Sequence, residues 1–250
     1  MFHGSPEGKA TVNLLHQAQS IMRRAGLDVR RYPAHSPGYL RARALASHDI
    51  DVVLDVGANR GQYGTELRSF GYRGRIVSFE PLQEPFRQLS IRAVGDDSWS
   101  TMRCALGQDP AEVVLHVAAN DGASSSVLPM LDSHIVAAPY AQYVGTETVQ
   151  QLRLDEAVGD LLSDSSRAYL KCDVQGYEKH VLAGGPQVLK SAVGVELELS
   201  FVPLYEGGML YVEAIALLEE HGFALHFLFP GFSDPTTGRL LQGDGVFFRA

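Results

Sequence analysis

The stretch DVVLDVGANRGQYG, residues 51–64, decides the fold. Val52, Val53, Leu54 and Val56 form a short apolar run around Asp55, and Gly57, Asn59, Gly61 and Gly64 follow at once. An apolar run of this length bounded by glycine reads as a buried strand, and the glycines read as a tight turn into a helix. Glycine lets the backbone bend sharply and lets a ligand approach without a Cβ in the way. The helix start offers N–H groups and the positive end of its dipole, which suits a pyrophosphate or an amino-acid carboxylate. One element further on, GRIVSFE (residues 74–80) reads as a second strand closed by Glu80. An acid about 20 residues beyond the glycine turn is where a ribose-binding carboxylate is expected. Turn and acid on consecutive strands imply a cofactor with a ribose; the competing reading is that Glu80 only caps the next helix.

Further strands are expected at residues 101–106, 168–174, 193–199, 224–229 and 245–250, each short, apolar and bounded by turn residues. Helical segments follow the first, second, fourth and fifth strands (GTELRSFG, EPFRQLSIRA, EKHVLAGGPQVLK and LYVEAIALLEEHG). Such alternation implies right-handed crossovers and an α/β doubly wound, mostly parallel sheet with helices on both faces. The last two strands are joined by the turn-rich PGFSDPTTGRLLQGD and form an antiparallel hairpin. That finish is the Rossmann-like outline of a class I methyltransferase rather than of a dehydrogenase. Residues 111–155 break the rhythm: EVVLHV and SSSVL read as extra edge strands, and DSHIVAAPYAQYVGTET as a mobile segment. Residues 1–48 read as an N-terminal helical arm or lid, with one helix stopping at Gly26 and another starting at Ser36 and Pro37. Residues 49–250 read as the main domain.

The chain has 250 residues, 45% hydrophobic and 20% charged, so a sizeable core is affordable. A net charge of -8 argues against a nucleic-acid partner or an anionic membrane surface. No apolar run is long enough to span a bilayer, and the N-terminus lacks signal-peptide character. A cytoplasmic protein with two buried thiols, Cys104 and Cys172, is the expectation.

DVGANRGQYG, GRIVSFEPL, CALG, GASSSV, RLDE, YLKCDVQGYEKHVLAGG, ELELSFVPLYEG and GDGVFFRA occur in that order between residues 48 and 250. Together they resemble the FkbM family of S-adenosylmethionine-dependent methyltransferases, especially members that O-methylate sugar hydroxyls. The resemblance implies that Asp55, Gly57, Asn59 and Gly61 hold the methionine end of the cofactor. It implies that Glu80 takes the ribose, that Pro81, Leu82 and Ala105 lie by the adenine, and that Ser125, between Ser124 and Ser126, lies next to the cofactor. The partner implied is a small-molecule or oligosaccharide acceptor; the arm could also serve a homodimer contact.

Methyl transfer to an alcohol needs the two reactants in line and a group that removes a weakly acidic proton. Asp173, in KCDVQGYE, closes the fourth strand at the edge where doubly wound sheets bind ligands. It is the candidate general base or metal ligand, with a helix N-cap as the plain alternative. Lys171 shares its face and is placed to pair with it. On the fifth strand Glu196 and Glu198 share a face, and Glu198, nearer the end, is the second catalytic candidate. Asp173, Glu198 and Asp244 could instead hold Mg²⁺, helped by Gln175, since hard oxygens suit that ion. Gln175, Glu196, Tyr205 and Tyr143 are the candidates for touching the acceptor. His134, His180, His221 and His226 lack motif support. Two other functions stay open: a nicotinamide-dependent oxidoreductase, against which Asn59 and the closing hairpin count, and a non-catalytic cofactor-binding module.

Overall fold

The structure is a computed structural model, and it describes residues 18, 21–26, 36–159, 161–163 and 165–250. The chain divides into two compact units, Met1–Arg41 and Ala42–Ala250. Most of the expected arm lies outside the described residues. Within it, residues 21–24 are helical and Gly26 ends them at φ 76°, in the left-handed region glycine favours. The next helix, α1 (Pro37–Ser47), starts after Ser36 as the Ser-Pro pair predicts.

The second unit carries β1 (Val52–Val56), α2 (Gln62–Ser69), β2 (Arg75–Phe79), α3 (Gln83–Ala93), β3 (Trp99–Met102), β4 (Ala105–Gly107) and β5 (Ala111–Ala118). It continues with α4 (Asp132–Ala137), β6 (Tyr143–Arg153), α5 (Leu154–Val158), β7 (Ala168–Cys172), α6 (Glu178–Ala183), α7 (Pro186–Ser191), β8 (Gly194–Ser200), α8 (Tyr211–Glu220), β9 (Phe223–Pro230) and β10 (Gln242–Arg249). Seven strands form the main sheet in the order β3-β2-β1-β7-β8-β10-β9. All pair in parallel except β10, which runs antiparallel to both β8 and β9. The strand order reverses between β1 and β7, and ligands bind such sheets outside the carboxyl ends at that reversal.

The alternation of each strand sorts its side chains. Leu54, Val56, Leu170, Cys172, Val195, Leu197 and Leu199 enter the main core, packed on Leu154, Leu182, Leu189 and Leu218 of the covering helices. The opposite face of the same strands carries Ser78, Asp55, Lys171 and Glu196, which stand side by side in register across β2, β1, β7 and β8. A buried polar row of this kind is tolerated only when each member has a partner, and it underlies the site described below. Both cysteines are free and buried. Burial pushes the Cys104 thiol up to about 11.

Four expectations are corrected. The strand expected at residues 101–106 is two strands in different sheets: β3 leaves the main sheet at Met102, and β4 pairs with β6 in a separate three-stranded sheet ordered β4-β6-β5. The break falls at exposed Arg103, whose guanidinium turns outward to the Glu147 carboxylate at 2.7 Å and to the Pro81 carbonyl at 3.3 Å. The single helix expected after β7 is divided at Gly184, where a Cβ would lie 2.0 Å from the Gly107 carbonyl oxygen. Residues 132–148 are not a loose segment: they hold α4 and the first half of β6, which pairs antiparallel with β5. The extra strand expected at SSSVL is reduced to one bridge between His116 and Ser126.

Candidate active site

The glycine turn is built by backbone approach. Gly57 has φ 76°, and a Cβ there would lie 1.8 Å from the Asp173 carbonyl oxygen. Its N–H donates to the Phe79 carbonyl at 3.0 Å. The turn is thus clamped between the ends of β2 and β7. Asn59 is also left-handed, at φ 47°, and its side-chain oxygen accepts from the Arg60 N–H at 2.7 Å. Gly61 begins α2 at φ 84° with no side chain capping the helix. Gly64 lets Trp99 pack closely, since a Cβ would lie 2.4 Å from its ring.

Glu80 crosses from the end of β2 to this turn. One carboxylate oxygen accepts from the Asn59 N–H and the other from the Leu82 N–H, both at 2.8 Å. Burial pushes its pKa up to about 7, against the lowering effect of those two N–H groups and of Lys171. Each oxygen retains a lone pair, because a carboxylate accepts about four hydrogen bonds. Pro81 is half-buried. Leu82 and Ala105 are packed together with Leu115 and Val149 in the core under the small sheet. Their side chains are spent on that packing. Ser125 accepts from the Ala118 N–H at 2.9 Å, inside its own loop. The same loop reaches the turn through an Arg60–Asp121 ion pair at 2.6 Å.

Asp55 sits deeper than the sequence implies. It is fully buried; one oxygen accepts from the Ser78 hydroxyl at 2.9 Å and the other faces the Lys171 ammonium at 3.3 Å. Trp99 donates in turn to the Ser78 oxygen at 3.0 Å. Its negative charge is therefore answered within the protein rather than by a ligand's ammonium. Lys171 also donates to the Gly57 carbonyl at 3.1 Å and lies 3.7 Å from Asp173. Burial pulls its pKa down, but Asp55 and Asp173 outweigh that and leave it above the ordinary lysine value. Glu196, expected at the acceptor, is likewise buried: its carboxylate accepts from the Tyr63 hydroxyl at 2.8 Å and the Tyr169 hydroxyl at 2.9 Å.

Asp173 lies just past β7, with its side chain 35% exposed. It is not an N-cap: α6 is entered through Tyr177 without a side-chain cap. The loop it opens is tied by a residue the sequence reading passed over. Glu178 accepts from the Val174 N–H at 3.0 Å and the Gly176 N–H at 3.2 Å with one oxygen. It is 3% exposed, and burial pushes its pKa up to about 7. Its place in the sequence offered one signal, an acid in the first turn after a glycine.

The structure does bring Asp173 and Glu198 together, through Gln175. The Gln175 amide nitrogen donates to Asp173 at 2.9 Å and to Glu198 at 2.7 Å, and Gln242 donates to the same Glu198 oxygen at 2.7 Å. Burial and the neighbouring acids Asp173, Glu178 and Asp244 push the Glu198 pKa well above the usual carboxylate value. Asp244 stands opposite Glu198 in the β8–β10 ladder. The magnesium expectation does not fit. Among the described residues no three His, Cys, Asp or Glu side chains converge as a metal set. The group between Asp173 and Glu198 is an amide nitrogen, which presents hydrogens and no lone pair. Tyr205 and Tyr143 are also reassigned from acceptor stacking. Tyr205 is 2% exposed and its hydroxyl donates to the Gln175 side-chain oxygen at 2.7 Å. Tyr143 stacks on His116 and donates to the Leu128 carbonyl at 2.8 Å.

A mostly parallel seven-stranded sheet, reversed beside a glycine turn and closed by an antiparallel hairpin, is the class I methyltransferase fold. The family pattern described as Methyltransferase FkbM domain matches residues 55–225, and the chain belongs to the FkbM methyltransferase family. Its reaction class is S-adenosylmethionine-dependent methyl transfer, which displaces the oxidoreductase reading. The chain is 22% identical over 199 residues to the 2-O-methyltransferase NoeI of Sinorhizobium fredii, covering 78% of this chain and 82% of that protein. Among solved structures it is similar to a putative O-methyltransferase from Klebsiella pneumoniae (TM-score 0.48, 11% identity, 100% of this chain and 93% of that one). It is also similar to Aeropyrum pernix fibrillarin with natively bound S-adenosyl-L-methionine (TM-score 0.45, 14% identity, 84% and 75%). No described helix is long and apolar enough to cross a membrane.

Proposed function

We propose that this chain is an O-methyltransferase acting on a hydroxyl of a carbohydrate. The observation that carries the reading is the Asp173 carboxylate, part-exposed at the sheet reversal, held by Gln175 and faced by Lys171. Bound S-adenosylmethionine supplies a methyl group activated by its sulfonium. The donor suits what is present: a turn without side chains at Gly57 and Gly61, an α2 start that no side chain caps, and lone pairs on Glu80 for ribose hydroxyls. Asn59 shapes the turn, and Pro81 borders the adenine side. With the donor bound, Asp173 would accept the proton of the acceptor hydroxyl, whose own oxygen would take the methyl group that sulfur releases. Glu198 of β8, linked to Asp173 through Gln175, then favours an acceptor with more than one hydroxyl. NoeI, named a 2-O-methyltransferase, supports O- over N-methylation. Transfer of tritiated methyl from S-adenosylmethionine to a panel of methyl glycosides and disaccharides tests the reading. Labelling of the glycosides is expected; labelling only of amine or phenol controls would overturn it.

Glu80 gives the donor side a pH signature. Its carboxylate form, dominant above about 7, is the better ribose acceptor. Donor affinity measured by calorimetry is expected to weaken about tenfold between pH 8 and 6, and Glu80→Gln is expected to bind weakly at both values. A pH-independent dissociation constant in the native protein would remove Glu80 from the site.

Glu178 gives a pH signature in stability. Its native pKa, about 7, lies above the ordinary 4.5, so the folded state holds the proton more tightly. The stabilisation is present in full below about 4.5 and is lost as pH rises through 7. Glu178→Gln keeps an acceptor for the Val174 and Gly176 amides and carries no charge. It is expected to gain on the order of 2 kcal/mol over the native chain at pH 8 relative to pH 5. Urea unfolding at the two values checks this, and an unchanged difference would count against it.

A further inference from the structure

Gln175 is a built feature with no share in the chemistry assigned so far. It is 9% exposed and adopts φ 56°, a left-handed backbone that a side chain with a Cβ seldom takes. Such a conformation is kept only where its surroundings over-determine it. Here they do. Its carbonyl accepts from the buried Ser126 hydroxyl at 2.8 Å, and its side-chain oxygen accepts from the Tyr205 hydroxyl at 2.7 Å. The Tyr205 hydroxyl also reaches the Ser124 carbonyl at 3.2 Å.

An amide whose oxygen is fixed has its nitrogen fixed too. Both Gln175 amide hydrogens are therefore aimed, one at the Asp173 carboxylate and one at Glu198. Hydrogen bonds to carboxylates are stronger and more directional than neutral ones. Without this nitrogen the two carboxyl groups would face each other beside two further acids, Glu178 and Asp244, with Lys171 as the cation in the group. Like charges so placed repel. The amide separates the pair and leaves each with a second oxygen it does not hold: that of Asp173 lies 3.7 Å from Lys171, and part-exposed Glu198, near the end of β8, receives both Gln175 and Gln242 on one oxygen. Two carboxyl groups sharing one nitrogen lie within two hydrogen-bond lengths of each other. That is the separation two neighbouring ring hydroxyls can bridge.

We propose that Gln175, oriented by Tyr205, is the positioning residue of the acceptor side, holding Asp173 and Glu198 so that they meet two adjacent hydroxyls of one sugar ring. Asp173 takes the hydroxyl that is methylated and Glu198 its neighbour. The idea rests on the sugar-methylating reading for its ligand, but the positioning itself is measurable without one.

The side-chain carboxyl resonance of Glu198, assigned by loss in Glu198→Gln, is recorded with and without Asp173→Asn. The separating amide predicts that Asp173→Asn moves the Glu198 signal in the native background and moves it further in a Gln175→Met background, where the two carboxyl groups face each other directly. Equal movement in the two backgrounds would overturn the positioning role. Tyr205→Phe deletes one hydroxyl and guards against failure of the Gln175 variant to fold. It is expected to lower kcat about tenfold while the S-adenosylmethionine dissociation constant stays within about twofold. A lower melting temperature with unchanged kcat would show a merely structural tyrosine and overturn the proposal. Among methyl glycosides that accept label, the deoxy analogue lacking the neighbouring hydroxyl is expected to have its KM raised at least about tenfold. An unchanged KM would overturn the two-hydroxyl grip. Should no glycoside accept label, the sugar reading fails while the resonance experiment still decides the role of Gln175.

Discussion

Gly57→Ala is expected to destabilise the chain by on the order of 4 kcal/mol or more, enough to unfold a protein of ordinary stability. Two effects add. The φ of 76° disfavours any residue with a Cβ by about 1 kcal/mol. The larger effect is contact: the new methyl would lie 1.8 Å from the Asp173 carbonyl oxygen and 2.9 Å from its carbon. Both are backbone atoms, so no rotamer change relieves the overlap. The chain beyond β7 would have to withdraw from β1, at the cost of the Asp173 N–H bond to the Val56 carbonyl and the Lys171 bond to the Gly57 carbonyl. Gly71→Ala supplies the comparison. Gly71 has φ 93° but nothing within 4 Å of its Cβ position, so only the conformational share, about 1 kcal/mol, is expected. Urea midpoints of the two variants separate the effects. Equal losses would mean that the close approach of turn and β7 loop carries no weight.

That close approach also shows what could be read in advance and what could not. Glycine spacing after an apolar run announced the turn, and strand–helix alternation announced the sheet, because both are local patterns with fixed periods. The hairpin announced itself through turn residues between two apolar runs. The reason for Gly57 was invisible, since its neighbour is a backbone atom more than a hundred positions later. The break at Arg103 was missed for a similar cause. TMRCAL is one apolar run by composition, and only pairing with β6 shows that its two halves join different sheets. In the site, Asp173 and Glu198 were legible because acids at the ends of apolar strands are costly unless used. Asp55 and Glu196 look identical by that test. They differ in being sealed from solvent, where Lys171 and the hydroxyls of Tyr63 and Tyr169 answer their charge. Burial separates the two kinds of acid, and it depends on side chains brought in from elsewhere in the chain. Tyr205 and Tyr143 were expected to stack on sugar because aromatics suit that task; their hydroxyls are instead spent on Gln175 and Leu128.

Asp173→Asn is expected to lower kcat for methyl transfer by about 10²- to 10⁴-fold, the range over which a positioned base contributes. The change is nearly isosteric. The Gln175 amide can still donate to the asparagine oxygen, so the link to Glu198 survives if the amide takes that orientation. Lys171 keeps Asp55 at 3.3 Å and is not left as an unpaired buried cation. Folding and donor binding should therefore be almost untouched, with S-adenosylmethionine affinity by calorimetry within about twofold of the native chain. What is lost, on the proposed role of Asp173, is the carboxylate lone pair that would take the acceptor's proton. An amide oxygen is far too weak a base to replace it, and among the described residues no histidine is hydrogen-bonded to the Asp173–Gln175–Glu198 group. The split between binding and turnover is the informative result. A fall in both would point to a loop held in shape by Asp173 rather than to proton transfer. Full activity in the variant would move the base elsewhere, and it would leave Glu198, the other carboxyl on the shared amide, as the group to examine.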